Sequence, residues 1–162
     1  MRSTRPILTI ARDVERKDDL PVIIDQAQEL NLYCEKVIIV PKDKRLRDLE
    51  ELIPERFLLG YSVPTRYGAT AIPLSQFGRR PVHLLGGRPD VQYELSRSLT
   101  VWSFDGNRVT LDAQYGDFFD GTKFRAHPKG GYNECIRDSL KGIDKLWLTH
   151  RHSAIPKLCQ HR

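Results

Sequence analysis

The sequence is short of the features that mark most small-protein classes. Its three cysteines, Cys34, Cys135 and Cys159, form no CxxC pair, which argues against a structural zinc site. His150, His152, Cys159 and His161 crowd the tail, but Ser153, Pro156 and the terminal position favour a frayed end over a rigid ligand cage. No apolar run approaches the roughly 20 residues of a membrane helix. Residues 1–6 carry no signal-peptide hydrophobic segment, so a cytoplasmic location is the default expectation. No long run of one charge sign occurs either. The net charge of +5 is spread along the chain, and it permits nucleic acid as a partner without requiring it. The modest cluster Lys42, Lys44, Arg45 and Arg47 reads as a solvated helix start rather than a phosphate track. No metal and no cofactor are expected, and no hairpin signal separates the apolar runs.

What is present is ordinary globular material, 40% hydrophobic and 29% charged over 162 residues, enough to bury one core. The expected organisation is a flexible leader (1–6), a single α/β domain (7–148) and a flexible C-terminal tail (149–162). Residues 82–105 set the pattern. An apolar run ends at Gly86 and Gly87, and a helix then opens on Pro89 with Asp90 near its positive end. Val91, Leu95 and Leu99 give that helix a buried stripe. A second buried strand, 100–104, delivers Asp105. That is one βαβ unit, whose strands should lie parallel.

The rest of the chain repeats this rhythm. Strands are expected at 7–11, 36–40 and 56–59. A helix at 20–30, capped by Asp18 or Asp19, buries Val22, Ile23, Ala27 and Leu30. Shorter helices follow around 46–53 and 73–77, then helices at 108–115 and 132–147. Residues 116–131 read as an irregular segment. About five parallel βα units make the fold class α/β. Periodicity alone leaves open whether the sheet is doubly wound or part of a (β/α)₈ barrel.

In either architecture ligands gather at the strands' C-terminal ends. Asp105 stands there, either as a nucleophile, with Asn107 or Arg108 supplying donors, or as a helix cap. His83 lies within its strand, as a satisfied core histidine or as a general acid–base. Gly86, Gly87 and Arg88 could cradle a phosphate. Arg12 and Asp13 leave the first strand, as a mutual ion pair or as site groups, and Lys42 leaves the second. Gly60 closes the third strand. Tyr61, Thr65, Arg66 and Tyr67 could stack on a base and bond it, or could pin a long loop. Asp117, Asp120 and Lys123 read as loop solvation.

The strings around these residues carry two resemblances. His83-Leu84-Leu85-Gly86, Pro89 and Phe104-Asp105 resemble the late strands of the tRNA-guanine transglycosylase barrel, and Gly60 resembles the glycine end of a preceding strand. That resemblance implies a partial or truncated TIM-barrel-like fold, with Asp105 as the nucleophile that attacks ribose C1′ and displaces guanine, and with the Gly60 backbone lining the base pocket. The chain departs from that family in lacking its CxCxxC zinc motif and the early strands bearing its other catalytic aspartate, and in having Gly106 where a cysteine follows Phe-Asp. The whole chain is also similar to an uncharacterised family of haloarchaea, bacteria and tailed viruses with the strings GYSVPTRYG, VHLLGG and SFDxN.

The resulting expectation is a transglycosylase-like domain acting on a nucleoside, nucleotide or nucleic acid, with Asp105, His83 and Asp13 as catalytic candidates. The alternatives are a non-catalytic nucleotide or nucleic-acid binding module, and a metal-dependent hydrolase or nuclease using Asp13 and Asp105. A partial barrel has open edges, which call for a second copy, another partner or residues 116–131 to cover them.

Overall fold

The computed structural model describes residues 5–66 and 68–153, so Tyr67, Cys159 and His161 lie outside the described residues. Contacts gather into two compact units. The first runs to Gly87 and resumes over Leu95–Asp105; the second takes Arg88–Glu94 and the chain from Gly106 onward.

The first unit is a five-stranded parallel sheet in chain order: β1 (Leu8–Ile10), β2 (Lys36–Ile39), β3 (Leu58–Ser62), β4 (Pro81–Leu85) and β5 (Thr100–Phe104). No strand reverses that order, as it would in a doubly wound sheet. Sheet and helices alternate as in a partial α/β barrel. β2 is a β-branched run whose Val37, Ile38 and Ile39 are fully buried, the pattern of a strand covered on both faces. Ile38, Val40 and Leu58 form a core with Leu8 and Leu85 packed against it. A Cβ built on Gly60 would lie 2.7 Å from Val40 Cγ2 and 2.9 Å from Leu85 Cδ1. Side chains flanking β3 on either side thus meet above a residue that has none, which is how a sheet curls.

α1 (Leu20–Leu30) carries Pro21 in its first turn, where a missing N–H costs nothing. It buries Leu20, Ile23 and Ala27, one face at helical spacing. Val22, expected on that face, is 53% exposed. The expected aspartate cap is absent as well: residues 17–19 form a 3₁₀ turn, and Asp19 makes no side-chain cap bond. α2 is only Leu49–Leu52, because Asp48, its N-cap residue, takes a left-handed conformation (φ 55°) that leaves Leu46 outside the helix. The strand predicted at 56–59 forms at 58–62 instead, which moves Gly60 and Tyr61 from loop to strand.

β5 corrects a further expectation. It is an outer strand with Trp102 and Phe104 exposed, not a buried one. At the N-terminal end of β4, Arg80 precedes the strand with its guanidinium buried. It donates to the carbonyls of Ile53 (2.8 Å), Pro54 (3.2 Å) and Phe57 (2.7 Å). A cavity of about 330 Å³ opens there, lined by Glu50, Glu55, Arg79, Arg80 and Pro81.

The second unit contains α3 (Pro89–Leu95), α4 (Arg108–Ala113), β6 (Asp117–Phe119), β7 (Phe124–Ala126) and α5 (Tyr132–Ser153). α3 ends at Leu95, so Leu99 is not part of its stripe. The segment expected to be irregular folds as an antiparallel hairpin, β6–β7. Asp120 builds its turn rather than solvating a loop. The Asp120 carboxylate accepts from Thr122 N–H, Thr122 Oγ–H and Lys123 N–H and pairs with Arg125 at 2.7 Å. These bonds, led by the Lys123 N–H, hold its pKa down to about 2. α5 packs on the hairpin: Ser139 Oγ accepts the Phe119 N–H, and a Cβ on Gly142 would lie 2.3 Å from the Phe119 carbonyl oxygen. His127 Nε2 meets Asp138 at 3.0 Å while Nδ1 accepts the Lys129 N–H, so both ring nitrogens are occupied structurally. Among the described residues no helix is long and apolar enough to cross a membrane.

Candidate functional site

Parallel pairing places the exits of all five strands along one edge of the first unit. Two groups of polar side chains form there. At the β4–β5 end, the ladder pairs Val82 with Val101 and then His83 with Ser103, skipping Trp102. This bulge shifts β5 by one residue and re-aims its side chains. Ser103 Oγ comes to lie 2.7 Å from His83 Nδ1, and Asp105 arrives beside the β4 exit, its N–H donating to the Leu84 carbonyl.

Asp105 then reaches across to the glycine turn. Its Oδ1 accepts the Gly86 N–H at 2.7 Å, and its Oδ2 lies 3.6 Å from His83 Nε2. The turn requires glycine, with φ of 65° at Gly86 and 83° at Gly87, in the left-handed region that other residues avoid. α4 takes Asn107, not Asp105, as its N-cap residue. The helix-cap reading of Asp105 is therefore replaced by a carboxylate that braces the β4 exit.

His83 is only 3% exposed, whereas the Asp105 side chain is 53% exposed. Burial pushes the imidazole pKa below its ordinary range, while the Asp105 carboxylate pulls it up. A neutral imidazole has one donor and one acceptor. The carboxylate facing Nε2 favours the tautomer with hydrogen there, which leaves Nδ1 to accept the Ser103 hydroxyl proton. At 3.6 Å the Nε2–H falls short of a hydrogen bond, so this buried nitrogen has no partner within bonding distance. The satisfied core histidine is only half realised.

At the β1–β2 end, Asp13 pairs with Lys42 at 2.5 Å rather than with Arg12, and Glu15 lies 3.6 Å from the same ammonium. The hydrogen bond to Asp13 is the main cause that raises the Lys42 pKa. Arg12 is exposed. β1 and β5 are the two outer strands, so Asp13 and Asp105 sit at opposite ends of the strand order. Between them, Gly60 is buried under the Val40, Ile38 and Leu85 side chains, and Tyr61 is buried edge-on to Phe77. Gly60 does not present the open base-lining backbone that the resemblance implied, and Tyr61 does not offer an open face for base stacking. Thr65 and Arg66 are exposed in the loop that follows, where Thr65 bridges to Gly68. Arg88 and Asn107 belong to the second unit.

A family model, described as a family of unknown function (DUF6610), matches residues 1–148. The chain belongs to that family. No curated protein and no solved structure matches it. In this member of DUF6610 the matched span includes every residue of both polar groups. Ser103 is the site residue that sequence reasoning missed. The signal was the string Ser-Phe-Asp itself: residues two apart on a strand share a face, so Ser103 accompanies Asp105 wherever the strand carries it.

Proposed function

We propose that the β4–β5 exit acts on a nucleoside, nucleotide or nucleic acid and exchanges a guanine-type base at C1′, as the transglycosylase resemblance implies. The observation that supports this reading is the Asp105 carboxylate itself. It is half-exposed at a strand's C-terminal end, with Oδ1 oriented by the Gly86 N–H and Oδ2 faced by a buried neutral imidazole. In the first displacement Oδ2 attacks C1′ while the C1′–N9 bond breaks, and the leaving base takes that electron pair and a solvent proton. The incoming base gives up its own N9 proton, attacks C1′ and releases the carboxylate. Gly86 N–H holds the attacking group in line throughout, with the His83 imidazole beside it.

A second reading, a binding module without chemistry, is favoured by the place of Asp13, which stands with Lys42 at the far outer strand. The same separation weighs against a hydrolase that joins Asp13 and Asp105 through a divalent ion. No grouping of three or more His, Cys, Asp or Glu side chains among the described residues could hold a metal. The test is incubation with tRNA or DNA and labelled guanine or 7-deazaguanine. Incorporation by the wild type and its loss in Asp105→Asn, with folding intact, is the expected result. No incorporation by the wild type into either polymer overturns the enzyme and leaves the binding module.

A further inference from the structure

The hairpin of the second unit carries an arrangement that the base-exchange reading leaves unused. Phe124 in β7 has two guanidinium neighbours, Arg88 with Cζ 5.9 Å and Arg108 with Cζ 5.7 Å from the ring centre. Both lie within cation–π range. They come from positions 88 and 108, far apart in the chain. Each is also held by a carboxylate. Asp90 takes Nε and Nη2 of Arg88 at 3.0 and 3.1 Å, and Asp112 takes Nε of Arg108 at 2.5 Å.

A guanidinium has five donors in a fixed plane. Pairing through Nε leaves its Nη1 donors for a ligand, and both arginine side chains are about half-exposed, at 47% and 49%. Packing against one phenyl ring needs one cation. Each of the two guanidiniums is balanced by its own aspartate, and their fixed, half-open planes still leave Nη donors that suit two anionic oxygens supplied together. Lys123 and Arg125 flank Phe124 in the sequence, and Lys123 is exposed as well.

We infer that Arg88 and Arg108, held against Phe124, form a contact surface for the phosphodiester backbone of a polynucleotide strand. This deepens the reading above, and rests on its nucleic-acid part, by naming a polymer rather than a free nucleotide as the ligand. The guanidinium planes are set before binding, so little side-chain freedom remains to be lost.

The test is fluorescence anisotropy of a labelled single-stranded oligonucleotide across a salt series, with guanosine monophosphate and inorganic phosphate as competitors. Arg88→Gln and Arg108→Gln keep a donor for each carboxylate but remove the charge. Each should weaken binding about tenfold and lower the slope of log affinity against log salt by about 0.7. Arg→Lys at the same positions keeps the charge and loses the fork. Those variants should keep the slope with weaker binding, and they carry the test if a Gln variant fails to fold.

The inference is overturned by a wild type that does not bind the oligonucleotide, or by arginine variants that bind unchanged. It is equally overturned by a Lys44→Gln control that loses as much affinity, or by full competition from guanosine monophosphate or phosphate at oligonucleotide-like concentration. Absent base exchange with arginine-dependent binding intact defeats the Asp105 reading alone. Base exchange on free nucleosides without oligonucleotide binding defeats this one alone.

Discussion

Gly60→Ala tests the curl of the sheet directly. The new methyl would stand 2.7 Å from Val40 Cγ2 and 2.9 Å from Ile38 Cγ2 and Leu85 Cδ1, where carbon atoms prefer about 3.5–4.0 Å. Leu85 can turn its Cδ1 away. The other two methyls sit on β-branched side chains of the neighbouring strand segment and move only by leaving their preferred rotamer or by shifting the backbone. Overpacking of this kind costs roughly 1–3 kcal/mol. The lost flexibility of the unfolded chain returns about 0.4–1 kcal/mol. The net expectation is a loss of about 1–2 kcal/mol, or a fall in Tm of roughly 2–8 °C for a chain of this length.

Urea and thermal unfolding both measure it. The double variant Gly60→Ala/Val40→Ala removes one of the two stiff clashes. It should therefore cost less than the sum of the single variants by at least about 0.5 kcal/mol. A neutral or stabilising Gly60→Ala, or strict additivity in the pair, would mean that β2 and β4 side chains do not meet over β3. The barrel-like curl would then be wrong.

Two further outcomes follow from the β4 exit. Burial lowers the His83 pKa in the folded state, so the unfolded chain binds the proton first. The contribution of His83 to stability is then complete above the unfolded value of about 6.5 and is lost as pH falls below it. His83→Gln should flatten the stability–pH profile in that acid range, and a profile unchanged by the substitution would refute the buried neutral imidazole. Gly86→Ala and Gly87→Ala both place a side chain at positive φ, at a cost of about 1–2 kcal/mol. A Cβ meets nothing within 4 Å at Gly86 but lies 2.3 Å from Val63 Cγ1 at Gly87. Chemical denaturation should therefore rank Gly87→Ala as clearly the worse, and the reverse order would contradict the observed turn.

The parallel α/β architecture was legible in the chain because its signals are local. A β-branched run such as Val37–Ile38–Ile39, the Pro21 helix start and the Gly86–Gly87 stop each act within a few residues, and no hairpin turn joins the five sheet strands. The hairpin that does exist was also legible, in Asp120–Gly121, a turn-forming pair between aromatic residues, and reading the segment as irregular passed over it. Boundaries were less legible. β3 shifted to include Gly60 and Tyr61 because its extent is set by the partners it pairs with, not by its own composition.

Asp105 at a strand exit could be picked from sequence, and so could His83 within β4. Their relation could not. Whether His83 faces Trp102 or Ser103 depends on a one-residue bulge in β5, and the bulge exists only once two strands have paired. The same holds for Asp13, whose partner is Lys42 and not its neighbour Arg12 because β1 and β2 lie side by side. It holds again for Arg88, Arg108 and Phe124, gathered from separate stretches of the chain. Sequence periodicity records which face a residue takes. Which residues then meet across strands and helices is decided by pairing register and packing, and these are properties of the folded chain alone.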